Sequence, residues 1–152
     1  MAVLVEVVTL VSAPPDVVFD LELDVDVHSA SLSGSGETAT TSTGRRTLGL
    51  GDEVTLTSRH GGLSWRLTSR VTAYDRPVRF VDEQVRGPFR AMHHEHLFAA
   101  LPGGRTRMTD RFTVTAPAGV LGDLVARVVL APYVRRLLRQ RAAHIRRVAE
   151  GR

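Results

Sequence analysis

The sequence contains no cysteine and no lysine, and it has a single tryptophan. Without cysteine there is no disulfide, no thiolate metal site and no cysteine nucleophile, a composition at home in a reducing compartment, so the cytoplasm is the expected location. Without lysine, all 20 basic residues are arginine, against 16 acidic ones, and the formal charge is +4. Arg135, Arg136, Arg139, Arg141, Arg146 and Arg147 crowd the end of the chain and could form a phosphate-contacting stripe. Only Tyr133 accompanies them and no nucleic-acid-reading motif is present, so a solvated helix face is expected and no nucleic-acid partner. The apolar opening, Met1 to Val11, lacks a basic leader and runs straight into Ser12-Ala13-Pro14-Pro15-Asp16, which suits neither a secretory leader nor a membrane span.

What is present is one domain's worth of chain. At 152 residues the sequence can bury a core, and residues 1–152 are read as a single unit. Val3 to Val11 alternates as an opening strand. Ser12 is placed to cap a short helix over Asp16 to Phe19, with Pro14 and Pro15 tolerated in its first turn. Between Glu22 and Leu32 a second helix competes with a strand, because Asp24, Asp26 and His28 alternate with Val25 and Val27. After Ser33-Gly34-Ser35-Gly36, strands are expected over Glu37–Thr43, Asp52–Arg59, Leu63–Tyr74, Val78–Val85, Phe89–Leu101 and Arg105–Ala116, with Gly61-Gly62, Asp75-Arg76-Pro77, Gly87-Pro88 and Pro102-Gly103-Gly104 as turns. In the third of these, Trp65, Leu67, Val71 and Ala73 are expected on one face. Seven strands at hairpin spacing favour an antiparallel meander in an α+β fold. From Gly119 to Val148, the residues Val120, Leu124, Val125, Val128, Leu137, Leu138, Ile145 and Val148 recur at helical spacing, and Pro132 should kink or divide the helix near Ala131.

Strand, two short helices, six strands and a long terminal helix together resemble the START, polyketide-cyclase and birch-pollen-allergen superfamily, SRPBCC, whose helix-grip fold wraps a curved sheet around the last helix. More specific are Phe80-Val81-Asp82-Glu83-Gln84-Val85-Arg86-Gly87-Pro88-Phe89, then Met92, His94, His96 and Phe98, then Gly103-Gly104-Arg105-Thr106-Arg107-Met108-Thr109-Asp110. These resemble a bacterial branch that reads F-x-D-x-Q-x-x-G-P-[FY], W-x-H-x-H-x-F and G-T-x-[ML]-x-D, over about the last two thirds of the chain. Met92 replaces a common tryptophan and Arg105 a glycine, departures that imply a reshaped cavity wall. The resemblance implies a small-molecule cavity between sheet and helix, more firmly than any activity.

Residues two apart on a strand share a face, so Phe80, Asp82 and Gln84 project together, as do Met92, His94, His96 and Phe98, and Met108, Asp110, Phe112 and Val114. If these faces turn inward, five polar groups enter a partly dry interior. They can satisfy one another in a closed network. They can also offer hydrogen bonds to an otherwise apolar guest, lipid-like or aromatic, walled by Trp65, Leu67, Phe80, Met92, Phe98, Met108, Phe112, Leu124 and Val128, with Asp82, Gln84, His94, His96 and Asp110 as polar contacts. In an aromatase or cyclase, His94 or His96 oriented by Asp110 or Asp82 would serve as general base.

No G-x-S-x-G elbow and no phosphate loop is present, so neither a serine nucleophile nor a nucleotide cofactor is expected. His94, His96 and a carboxylate also match a 2-His-1-carboxylate metal site, but H-x-H on a strand is a frequent coincidence and no metal is expected. His28 and His60 are expected to be exposed. An open strand edge, or the arginine-rich helix at Arg136 and Arg139, could support a homodimer or meet an acidic partner.

Overall fold

The computed structural model describes residues 1–31, 38–60 and 62–151, so Ser33–Gly36, Gly61 and the side chain of His60 lie outside the described residues. Seven antiparallel strands form one sheet in the order β1-β7-β6-β5-β4-β3-β2. They are β1 (Ala2–Val11), β2 (Thr38–Thr41), β3 (Glu53–His60), β4 (Leu63–Asp75), β5 (Arg79–Arg86), β6 (Ala91–Leu101) and β7 (Arg105–Thr115). The first strand pairs with the last, Val5 opposite Phe112 and Val7 opposite Asp110, which curls the sheet around an inner face. Val5, Val7 and Val11 are buried on that face while Leu4, Val8 and Leu10 point out, the period of two that a one-sided sheet requires.

Two helices follow β1. Helix α1 (Pro15–Glu22) is longer than its sequence pattern suggested, and its cap is Pro14, whose carbonyl accepts from Val17 and Val18. Ser12 caps nothing; its N–H donates instead to Glu150 Oε2 at 2.6 Å, tying the first strand to the end of the chain. Helix α2 (Val25–Ser31) wins over the competing strand because Asp24 Oδ1 accepts from the N–H groups of Asp26 and Val27, an N-cap that the alternating valines concealed. In β4, an extra residue between Val71 and Ala73 forms a bulge: Val71 opposes Asp82 but Ala73 opposes Val81. Ala73 therefore leaves the face it was expected to share with Val71, and Tyr74 takes its place.

The terminal helical segment runs from Gly119 to Glu150 as α3 (Gly119–Val125), a π turn (Ala126–Leu130) and α4 (Ala131–Glu150). Pro132 interrupts the regular α-helical pattern at Ala131, as expected, without ending the helical run. Proline's missing donor and its ring are accommodated by widening the preceding turn, where the Ala131 N–H reaches back five residues to Ala126 O. The inserted residue rotates everything before it by about 100° relative to α4. Hence the buried face of α4 is Val134, Leu138, Ala142, Ile145 and Ala149, while Val120, Leu124, Val125 and Val128, expected on the same stripe, are exposed. Among the described residues no helix is long and apolar enough to cross a membrane.

Packing differs along the helix. Toward its C-terminal end, Ala142, Ile145 and Ala149 close onto Val11, Val18, Phe19, Leu23, Phe80, Phe98 and Met108 in one solid cluster. Phe19 stands at its centre, edge-on to Tyr74, Phe80 and Phe98 at ring separations of 5.3–5.4 Å. Toward the other end Val134 and Leu138 touch Val5 and Val7, but the helix stands away from β3 to β6. Phe19→Ala should therefore cost roughly 3–5 kcal/mol in urea unfolding, the range for emptying an aromatic from a core; a loss below about 1 kcal/mol would show that the aromatic cluster does not anchor the fold.

Candidate functional site

Cross-strand register assembles the polar groups. Asp82 lies opposite His94, Phe80 opposite His96, His96 opposite Asp110 and His94 opposite Phe112, so alternate residues of β5, β6 and β7 meet on the inner face. His96 Nε2 is 2.8 Å from Asp82 Oδ1, and His94 Nε2 is 3.1 Å from Asp110 Oδ1. The two imidazoles are 3.8 Å apart, and His96 stacks on Phe80 at 4.0 Å and 13°. Two further groups arrive from outside the sheet. Glu22, at the end of α1, places Oε2 3.1 Å from His96 Nδ1, and Arg141 of α4 places Nη2 3.9 Å from the same oxygen. His96 Nδ1 also lies 3.2 Å from Asp110 Oδ1, yet neither oxygen is aligned with it as a hydrogen bond, and His96 Nδ1, Glu22 Oε2 and Arg141 Nε are buried without a hydrogen-bond partner.

Three carboxylates around two imidazoles divide the histidines. Burial opposes a charge on His96, but Asp110, Asp82 and Glu22 outweigh it and hold its proton well above the ordinary range. Burial and the neighbouring His96 push His94 the other way, toward the neutral form, with Asp110 opposing. Burial would raise Asp82 and Asp110, but their histidine partners keep both carboxyls well below the usual range. Burial and Arg141 together favour neutral His28.

Beside this cluster lies a cavity of about 470 Å³ between sheet and helix. Of the side chains singled out from sequence, Trp65, Leu67, Phe80, Asp82, Met92, His94 and Phe112 line it. His96 and Asp110 are buried behind that wall, and Phe98 and Met108 belong to the solid cluster. Gln84 is engaged elsewhere: its amide donates to Phe89 O at 2.7 Å and accepts from Phe89 N at 3.2 Å, bracing the turn after β5. Gly87 is the residue that permits this, since a Cβ there would sit 2.4 Å from Gln84 Oε1. Leu124 and Val128, expected as walls, are 58% and 65% exposed because the π turn rotates them away. Arg105 is also off the wall, in the exposed turn before β7, where it donates to Pro102 O.

Sequence reasoning passed over Glu22, His28, Ser58, Ser69, Tyr133, Leu137 and Arg141, all of which line the cavity. His28, expected to be exposed, faces inward from α2. For Arg141 a signal existed: it falls three residues after Leu138 and four before Ile145, on the buried stripe of α4. For Glu22 none existed, because its partners lie more than fifty residues away.

Arg141→Leu removes the guanidinium that faces Glu22 and should destabilise the protein by roughly 3 kcal/mol in urea unfolding, as expected for an uncompensated buried charge; an unchanged midpoint would show that Arg141 does not balance the cluster. For Asp82 and Asp110, a folded-state pKa below the unfolded one means that stabilisation is present above about pH 4 and is lost as pH falls below it. The urea midpoint should accordingly decline from about pH 4 downward, and a flat acid limb would contradict the pairing.

Comparison with known proteins agrees with this architecture. A protein from Thermus thermophilus superposes with a TM-score of 0.75 at 18% identity, covering 94% of this chain and 97% of that one. The Zhui aromatase/cyclase from Streptomyces sp. R1128 gives 0.72 at 20% identity, with 99% and 98% covered. Norcoclaurine synthase from Thalictrum flavum, in complex with dopamine and hydroxybenzaldehyde, gives 0.73 at 11% identity, with 97% and 86% covered. No curated protein sequence matches significantly. The family model described as polyketide cyclase / dehydrase and lipid transport matches residues 2–150, so the chain belongs to that family, within the SRPBCC superfamily.

Proposed function

We propose that the protein binds a small, mainly hydrophobic molecule in the 470 Å³ cavity, with a carbonyl or hydroxyl of the guest directed to the His94 and Asp82 end. The observation that carries the reading is the lining itself: Leu23, Val54, Leu67, Met92, Phe112 and Leu137 supply oily walls, while Glu22, Asp82, His94 and Arg141 bring the linked charged groups of the cluster to the same cavity. A volume of this size suits a drug-sized aromatic or lipid-like molecule. Trp65 and Tyr133 both line the cavity and reach solvent, which marks the opening between β4 and the terminal helix.

A second reading, a cyclase that deprotonates a carbon beside a ketone, is favoured by one specific feature. His94 is on the wall and favours its neutral form, as a general base must, whereas His96 is sealed behind it and holds its proton among carboxylates. His94 is thus the base in that reading and His96 is not.

A hydrophobic fluorescent probe should bind saturably, with the emission of Trp65 reporting occupancy, and Met92→Trp should fill the cavity and weaken the probe at least tenfold while the protein stays folded. Unchanged affinity in that variant would place the probe elsewhere and remove the cavity reading. Native mass spectrometry of protein from its own host should find a retained apolar molecule. If the protein is a cyclase, His94→Ala should abolish turnover of a polyketide-like ketone with probe affinity kept within about threefold; undiminished turnover would dismiss the base.

A further inference from the structure

We infer that Glu22, His96 and Asp110 form a binding site for one divalent first-row metal ion, held by His96 Nδ1, Glu22 Oε2 and Asp110 Oδ1. Three elements deliver these atoms: the end of α1 and, far along the chain, the middles of the paired strands β6 and β7. His96 Nδ1 is 3.1 Å from Glu22 Oε2 and 3.2 Å from Asp110 Oδ1. Atoms bound to one ion at about 2.1 Å, with angles between 90° and 110°, lie about 3.0–3.4 Å apart. The two separations fall inside that interval.

The burial of His96 Nδ1 and Glu22 Oε2 without partners is the independent observation. The Nε2 of His96 lies 2.8 Å from Asp82 Oδ1, so with Nε2–H donated to Asp82 it is Nδ1, facing Glu22 and Asp110, that gives up its proton to an ion. That is the carboxylate–histidine–metal arrangement, with Asp82 orienting the ring from behind. His96 Nδ1 and Glu22 Oε2 are both sealed from solvent, in residues 1% and 4% exposed, and neither has a hydrogen-bond partner. In the metal-free chain the carboxylates hold a proton on the His96 ring although neither Glu22 nor Asp110 is aligned to accept it from Nδ1, and an ion that displaces that proton would satisfy all three atoms at once.

Charge points the same way. Glu22, Asp82 and Asp110 bring three negative charges, and Arg141 is the guanidinium that contacts the cluster among the described residues. An ion that displaces the proton held on His96 leaves both imidazoles neutral and two negative charges to balance, the amount a divalent ion supplies. One imidazole nitrogen and two carboxylate oxygens, with no sulfur, suit Zn²⁺ or Mn²⁺. This set differs from the 2-His-1-carboxylate pattern in the sequence, since His94 is spent on Asp110 and Glu22 takes its place. Glu22 and His94 line the cavity, so the ion would stand directly behind its polar wall.

The test uses the full chain, stripped with EDTA and exchanged into chelator-free buffer, then titrated separately with ZnCl₂, MnCl₂ and CoCl₂. One equivalent of at least one of these ions should bind with a Kd in the micromolar range or tighter and raise the melting temperature, and bound Co²⁺ should show a visible d–d band. Glu22→Gln and Asp110→Asn should each weaken binding at least a hundredfold, and Asp82→Asn ten- to a hundredfold. His93→Ala, on the exposed side of the same strand, should leave affinity unchanged. Failure of all three ions to bind the wild-type chain would overturn the proposal, as would binding that survives Glu22→Gln, since the ion would then sit on surface histidines. If a variant fails to fold, the wild-type stoichiometry and Co²⁺ spectrum decide the matter. Probe binding in the cavity is independent of the result, so the two proposals fail separately.

Discussion

The compensation of charge inside the sheet governs the rest of the structure. Asp82, Asp110 and Glu22 are carried from β5, β7 and α1 to the interior, where an unpaired carboxylate would be costly, and their partners come from two further elements, β6 and α4. His94 and His96 satisfy the strands from within, while Arg141 commits α4 to its place across the sheet. Register follows from the same requirement: a slip of one residue would send the histidines to the outer face and strand the aspartates.

This cluster also divides the interior. On one side Phe80 stacks on His96 and belongs to the solid cluster around Phe19; on the other, His94 stands edge-on to Phe112 at the wall of the cavity. The hollow therefore has a polar floor that is rigid because it is shared with the core. The π turn before Pro132 sets the opposite boundary, turning Leu124, Val125 and Val128 outward where a regular helix would have aimed them at the sheet. The arginine bias has a plainer use. Arg79 and Arg111 meet Glu95 and Glu6 on the outer face, Arg70 meets Glu53, and Arg76 makes a forked pair with Asp20, all at the surface, where such pairs contribute little.

Much of the fold was legible because it depends on local pattern. Alternation in β6 and β7 and the turn glycines located strands to within a few residues and sorted inward from outward side chains. The bulge in β4 was not legible, since an extra residue leaves composition unchanged while reversing the face of Ala73. The N-cap by Asp24 was hidden because the same aspartate also fits an alternating strand. Within the site, spacing put the histidines and aspartates on faces that could meet, while the pairing of His94 with Asp110 and of His96 with Asp82 was settled only by the register and side-chain placement of β5, β6 and β7. Gln84 could not be placed, because its competing partner is the backbone of Phe89.

Sequence alone determined which residues share a face on β5, β6 and β7, because a strand's period of two is a property of the chain itself. It also determined that a long amphipathic helix closes the chain. Tertiary structure decided that Glu22 and Arg141 join the histidines, that His96 is sealed while His94 reaches the cavity, and which part of the helix stands off to leave a hollow. Those outcomes depend on distances between elements far apart in sequence and on the phase shift of a single helical turn, neither of which any local pattern encodes.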